Sequence, residues 1–422
     1  MPLLSNNPMW EQFATRTLFL TTYGGADFGE CQTTVARIGD DGDASDWHRE
    51  WTATADRIAE VAAASESGGH DVSAREAYLR AAVYYRTSYQ PLYGAPVDPR
   101  LREAFDRESE ALAAMVRLSP GLELVEIPFE DTTLPGLYAR ASSDTGARGT
   151  IVHTNGYDSD LTEMFVAHAP AALARGYDIL LFDGPGQGRN LIRDGVALRP
   201  DWENVVSPVL DWLLEQPGVD PERVVLAGWS FGGYLAPRAA AHETRLAALI
   251  ADPGQWDQRD GIVAMLPLPE DQKATFPDGV DPHALDQTEA HLAGPDGDPG
   301  MRWSLLQRGL WVNGQPNLFS LLADLTRYRL SDVAGQISCP TLLTASEGDR
   351  LSAGTHKLYD ALTVSRRTLV EFTAAEGSGG HCEATARRLF HQRVYDWLDD
   401  TLAATDAGEP AVSGAAAAPA GD

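Results

Sequence analysis

From residue 150 onward, short apolar runs alternate with longer amphipathic stretches. The runs read GTIVHTNG, YDILLFDG, RVVLAGWS, LAALIADPG, CPTLLTASEGD and RRTLVEF. A strand apolar on both faces can be covered only if helices lie on both sides of its sheet, and a helix between two strands makes them parallel. The fold class read from this is α/β: a mainly parallel sheet covered by helices on both faces. The intervening helices are predicted from about Leu161 to Ala174, from about Trp202 to Leu214, and onward from Phe231. Two earlier runs, LELVEIPF and LPGLYARA, also read as strands.

The first ~120 residues read instead as helices. SAREAYLRAAVYYRTSY carries Ser73 and Glu76 in capping-box spacing, with Ala77, Leu79, Ala82, Val83 and Tyr84 broadly on one face. DPRLREAFDRESEALAAMVRL places Pro99 in a first turn. No repeat of a helical array recurs. The organisation predicted is an N-terminal helical cap domain (1–120) and an α/β domain (121–404) interrupted by an insertion at about 252–335. A disordered low-complexity tail (405–422) follows. Within the insertion, two helices are expected, around Trp303 to Val312 and Leu318 to Tyr328, after a Pro/Gly/Asp-rich stretch from Asp278 to Gly300. An insertion at the carboxyl end of a sheet strand is where a lid or pocket wall would sit.

At 422 residues the chain exceeds one ordinary domain. Its net charge of −28 argues against nucleic acid and anionic membrane surfaces as partners. Cys31, Cys339 and Cys382 are too scattered for a disulfide framework or a zinc pattern. No apolar run has the length that spans a bilayer, and nothing at the N-terminus reads as a signal peptide. The expectation is a soluble, cytoplasmic protein acting on a small molecule.

The pentapeptide Gly228-Trp229-Ser230-Phe231-Gly232 falls where a buried strand ends and a helix begins. A hydroxyl held out at such a turn, with small residues letting strand and helix approach, suits a nucleophile. The N–H of Phe231 is then placed to meet developing charge on a carbonyl oxygen. A serine needs a base and a carboxylate to orient it, in the chain order serine, acid, histidine. Asp349 follows the next-to-last strand, with Glu347 as the alternative, and His381 follows the last strand in a glycine-rich loop. The second oxyanion donor is expected in HTNGYDSDLTE, where Gly156 permits a tight turn and Tyr157 offers its N–H. Asp160 and Glu163 read as a capping box, whereas Asp158 has no capping role and is a candidate to line the site. Trp10, Tyr23, Trp229 and Trp256 are candidates for stacking surface.

FDGPGQGRN has three glycines after a strand, but Arg189 occupies the last glycine position of the dinucleotide fingerprint, so NAD and FAD are excluded. The acidic runs Asp40 to Asp46 and Asp296 to Asp298 lack EF-hand spacing and read as solvated loops, and HExxH is absent. No metal and no cofactor are expected.

With Ser230, Asp349 and His381 in that order on an alternating chain, the sequence resembles the α/β-hydrolase superfamily. The helical N-terminus, NGYDSD, FDGPGQG, GWSFGGYLAPRAA and ADPG narrow the resemblance. It is similar to the branch containing 2,6-dihydroxypseudooxynicotine hydrolase and the fungal polyketide-shortening hydrolases of melanin synthesis. The resemblance implies serine-dependent hydrolysis of a carbon–carbon bond beside a ketone, N-terminal helices capping the site, and pairing as a homodimer. Carried over by position, Ser230 is the nucleophile, Asp349 the acid, His381 the base, and the Tyr157 and Phe231 amides the oxyanion hole. A further acidic residue is used in some members, for which Asp252, Asp257 and Asp260 are candidates. Carboxylesterase, thioesterase and acyltransferase chemistry, or ligand binding without catalysis, are the alternatives on the same residues.

Overall fold

The computed structural model describes residues 2–141 and 146–406; beyond residue 406 the predicted tail lies outside the described residues. Among the described residues eight strands form one sheet, in the order β1-β2-β4-β3-β5-β6-β7-β8. β1 (Leu122–Phe129) and β2 (Thr132–Ala139) form a hairpin, and β2 pairs antiparallel with β4 (Asp178–Phe182). The remaining strands are parallel: β3 (Thr150–Thr154), β5 (Val224–Trp229), β6 (Ala248–Asp252), β7 (Thr341–Ser346) and β8 (Arg367–Phe372). The expected α/β-hydrolase fold with an N-terminal helical region is therefore present. β3, β4, β5 and β6 are buried along almost their whole length, as their two-faced apolar sequences require.

The chain runs from β3 outward to β4 on one side and then to β5 on the other. At such a reversal the loops after the two inner strands diverge and leave a crevice at their carboxyl ends. Register aligns Thr154 with Gly228 and Trp229 with Asp252, so the ends of β3, β5 and β6 open at one level. The sheet is flanked by α6 (Leu161–Leu173), α7 (Gly188–Ile192), α8 (Glu203–Leu214), α9 (Gly232–Ala240), α16 (Thr355–Ala361) and α17 (Arg387–Asp406). Phe231, the predicted helix start, instead caps α9.

Before the sheet come α1 (Pro8–Phe19), α2 (Phe28–Ile38), α3 (Ala44–Ser67), α4 (Asp71–Tyr89) and α5 (Pro99–Arg117). Their buried rings, Trp47, Trp51, Tyr84 and Tyr89 among them, belong to the same continuous core as the sheet. The capping box expected at Ser73 is absent: α4 starts at Asp71, because burial of Ala74 and Ala77 carries the helix back through Ser73. The reciprocal box lies at Asp43 and Asp46, opening α3 within an acidic run read as a solvated loop.

The insertion holds more helix than its composition suggested. α10 (Gln258–Met265), α11 (Glu270–Thr275) and α12 (Asp286–Ala293) precede α13 (Pro299–Met301), a π-helical turn (Arg302–Gly309), α14 (Leu310–Val312) and α15 (Leu318–Leu325). Ile262, Leu266, Phe276, Leu285, Leu292 and Leu318 close a small core of their own. α10 and α12 each bury a single apolar residue, too sparse a pattern for periodicity to reveal.

Candidate active site

Ser230 sits at the carboxyl end of β5 with φ 57, a left-handed backbone that a non-glycine residue adopts at a cost of about 1–2 kcal/mol. Its N–H donates to Asp252 O (2.7 Å), while its carbonyl accepts from Gly233 N (2.8 Å) and Gln255 Nε2 (2.6 Å). These bonds hold the strained turn. A Cβ on Gly228 would run into the Gly232 carbonyl, so the first glycine of the motif is what lets β5 and α9 meet at this angle.

Ser230 Oγ lies 2.8 Å from His381 Nε2, and His381 Nδ1 lies 2.9 Å from Asp349 Oδ2. β7 and β8 bring the two partners from loops on neighbouring strands. Glu347, the alternative acid, is turned away: its Oε2 accepts from Ala374 N (2.7 Å). Burial opposes the charge of Asp349, whose side chain is 4% exposed. Hydrogen bonds from His381 and from the Leu351 and Cys382 N–H groups more than offset it, holding the carboxyl below its ordinary range. A hydroxyl, an imidazole and an ionised carboxylate in this line can relay a proton from the hydroxyl and stabilise the resulting imidazolium.

The turn after β3 crosses Ser230 closely: a Cβ on Gly156 would meet Ser230 Cβ at 2.9 Å and Trp229 O at 3.0 Å. The loop FDGPGQG, which sequence reading left without a role, reaches this turn. Gln187 is fully buried, and its Nε2 donates to Asn155 O (3.1 Å) and Gly156 O (2.8 Å) while its Oε1 accepts from Gly184 N (2.9 Å). Gln187 therefore fixes the peptide plane joining Gly156 to Tyr157. Because a trans peptide points its C=O and N–H in opposite directions, pinning that carbonyl also aims the Tyr157 N–H.

A cavity of about 710 Å³, chiefly apolar, opens over Ser230 and His381 between α1, α6 and the insertion. Tyr23, Tyr157, Asp158, Trp229 and Phe231 all line it. Tyr23 bonds through its hydroxyl to His391 Nδ1 (2.8 Å), and Trp229 stands edge-on to His168. Trp256 is not among the lining residues; its backbone and Cβ lie against Gly354. Trp10 is likewise spent on the helical core, stacked on Trp47.

None of the three further acidic candidates lines the cavity. Asp252 is buried beneath it on Arg387 and Thr344, Asp257 accepts from Leu330 N and Ser331, and Asp260 pairs with Lys357. The acids that do reach it are Asp158 and Glu163. Arg16 binds both and Arg308 binds Asp158. Burial works against these charges, but the arginines keep both carboxyls below their ordinary range, Asp158 far below. The predicted capping box is half formed: Asp160 accepts from Glu163 N, while the Glu163 side chain is drawn to Arg16 and Arg86.

Below His381 lies a buried polar group that sequence reading missed. Arg387 Nη1 donates to Asp252 Oδ2 (3.0 Å) and Cys382 O (2.9 Å), and its Nη2 lies 3.3 Å from His168 Nδ1. Cys382 and Glu383 hold left-handed backbones (φ 51 and 47), and Glu383 bonds Ser346 Oγ. Burial, then Asp252, push the Glu383 carboxyl well above its ordinary value. Asp252, His168 and Ser346 lie far from Arg387 and Glu383 in sequence, and no local pattern marks them as partners. Among the described residues the donor atoms of Asp349, His381 and Cys382 are the set close enough to share a cation. Asp349 and His381 are already engaged with each other, and burial holds the thiol protonated, so the set does not fit a resident metal.

Comparison with known proteins agrees with the geometry. Hydrolase LUC6 of Fusarium sp is 32% identical over 406 residues, covering 92% of this chain and 95% of that protein. The 20-hydroxy-prefusarin hydrolase FUS2 of Gibberella moniliformis is 31% identical over 407 residues, covering 92% and 95%. The crystal structure of 2,6-dihydroxy-pseudo-oxynicotine hydrolase superposes with a TM-score of 0.71 at 21% identity, over 92% of this chain and 96% of that one. Residues 151–393 match the Alpha/beta hydrolase family. With that match spanning more than half of the chain and relatives above 30% identity along nearly all of it, this protein is a hydrolase of the alpha/beta hydrolase family.

Proposed function

We propose that this hydrolase cleaves a carbon–carbon bond beside a ketone in an aromatic or polyketide-like small molecule, through an acyl-enzyme on Ser230. The observation that carries the reading is the line Ser230–His381–Asp349, with contacts of 2.8 and 2.9 Å, at the floor of a large apolar cavity. His381 takes the Ser230 proton as Oγ bonds to the substrate carbonyl carbon. The oxyanion is received by the Tyr157 and Phe231 N–H groups. Collapse breaks the bond to the adjacent carbon, which leaves as an enolate or aryl carbanion equivalent and takes its proton from His381. Water, deprotonated by His381, then releases the acid and restores Ser230. Asp349 keeps the imidazole oriented and its cation stabilised throughout.

An ester or thioester would pass through the same steps with an oxygen or sulfur leaving group. The test is an aryl 1,3-diketone and a matched aryl ester offered together, with products followed by mass spectrometry and Ser230→Ala as control. Diketone cleavage absent in Ser230→Ala is the expected result; ester cleavage alone would replace the carbon–carbon reading with an esterase. Asp349→Asn is expected to lower kcat by about 10⁴-fold while leaving the fold intact.

A further inference from the structure

Arg308 lies on the π-helical turn of the insertion and lines the cavity. Its Nη1 donates to Asp158 Oδ2 at 3.0 Å. Its guanidinium carbon sits 4.7 Å from the Trp303 ring centre and 5.2 Å from that of Tyr157, so two aromatic rings fix where the group lies. Among the described residues it makes no other hydrogen bond, and its Nε is buried without a partner. A guanidinium carries five N–H donors in a planar fork. Here most of that fork is unspent, in a side chain only 25% exposed.

The neighbouring arginines differ. Arg16 places Nε and Nη2 on Glu163 and Nη1 on Asp158, and Arg86 is divided among Asp160, Glu163 and the Asp158 carbonyl. Both are committed to the protein. Arg350 also lines the cavity but is exposed. Arg387 lines the cavity too, with its own Nε buried and unpartnered, but both its Nη atoms are placed on Asp252, the Cys382 carbonyl and His168. Arg308 is thus the half-shielded cation of the cavity with a single bonded Nη, and its buried Nε is costly to leave unmet unless a ligand meets it. The local charge fixes what that ligand group can be. Arg16, Arg86 and Arg308 face Asp158, Asp160 and Glu163, one cation for each anion. A carboxylate arriving at Arg308 would bring an unmatched negative charge beside Asp158, whereas a neutral pair of oxygens takes the same donors without one.

We infer that Arg308 is a specificity-determining residue that receives the two oxygens of an uncharged 1,3-dicarbonyl unit, or its enol, in the part of the substrate away from the carbonyl attacked by Ser230. This rests on Ser230 being the nucleophile. The test uses three fluorophosphonates with tails of equal length ending in a 1,3-diketone, a carboxylate or a plain alkyl group. The rate at which each modifies Ser230 is measured in wild type, Arg308→Lys and Arg308→Met. The readout is the rate ratio of the diketone to the alkyl probe. It is expected to be about tenfold or more in wild type and to approach one in both variants. Arg308→Lys retains the charge beside Asp158 without the fork, so loss of the ratio there separates recognition from misfolding. A wild-type ratio near one, a ratio that survives substitution, or a carboxylate probe faster than the diketone would each overturn the inference. If no probe modifies wild type, the nucleophile reading fails. Calorimetric binding of 1-phenylbutane-1,3-dione then decides on Arg308 alone: binding lost in Arg308→Met supports the inference, and equal binding overturns it.

Discussion

Ser230 combines a left-handed backbone with a carbonyl and an N–H that are both bonded, so its side chain has little freedom beyond the approach to His381. Such geometry is sensitive to atoms that merely touch it. Gly156→Ala is expected to lower kcat by about 10²-fold or more with little change in KM, because the new methyl group would displace either Ser230 or the turn carrying Tyr157. A steady-state comparison checks this; a rise in KM alone would mean the turn contributes to binding only. Gln187→Glu preserves volume but replaces a donor with an acceptor facing two carbonyls. It is expected to weaken binding of a trifluoromethyl ketone, which forms the oxyanion, by about 10- to 100-fold, more than it weakens a ground-state inhibitor. Equal loss for both would reduce Gln187 to a structural role. At this scale Ser230, Asp349 and His381 were legible because each follows a strand whose end could be recognised. Gln187 was not, since its partners are backbone carbonyls some thirty residues away.

At the scale of elements, α17 and α6 enclose three histidines between them and the sheet. His153 is depressed to about 3, and His168 and His391 well below the ordinary value, by burial first and by charge from Arg387 among others. All three are neutral in the fold. Unfolded, they titrate near 6.5, so between that value and their folded values the unfolded chain binds protons that the native chain does not. The contribution of these histidines is therefore full above about pH 6.5 and falls as pH drops below it, by about 1.4 kcal/mol per pH unit for each, while the buried Glu383, Glu108 and Asp183 carboxyls, raised in the fold, contribute with the opposite sign. Thermal denaturation followed from pH 7 to 5 should show the midpoint of His391→Gln falling less, or rising more, on acidification than that of the wild type. The same pH dependence in both proteins would mean that His391 is reached by water in the fold. The strands and long helices were legible because periodicity and length agree. α10 to α12 were not, because short helices anchored by single side chains differ little in pattern from loops.

Across the whole molecule, α1 to α5 and the sheet share one core, and Arg86 is the charge at their junction. It is 2% exposed and bonds Asp160 and Glu163, both at 2.8 Å, on α6 and its cap. Arg86→Met is expected to cost about 3–5 kcal/mol, since it leaves two buried carboxylates short of a partner. Chemical denaturation would show it, and a loss under about 1 kcal/mol would mean that Arg16 alone compensates. The net charge of −28 also acts at this scale. Self-repulsion should be screened by salt, so the denaturation midpoint is expected to rise between about 0.02 and 0.5 M NaCl. A fall would show that attractive surface pairs outweigh the net charge.

What the sequence determined by itself is everything governed by neighbours along the chain: which segments are strands, that the sheet is mainly parallel and covered, and that a serine, an acid and a histidine each stand just beyond a strand end. Periodicity and turn chemistry are local, and local information suffices for them. The tertiary structure alone decided that Asp158 and Glu163, rather than Asp252, Asp257 or Asp260, reach the cavity, and that Trp256 does not line it. It also decided that Arg308 keeps its donors open. Each of those outcomes depends on which side chain is nearest in space after distant segments have packed, and on how burial and opposing charges then divide a limited set of partners.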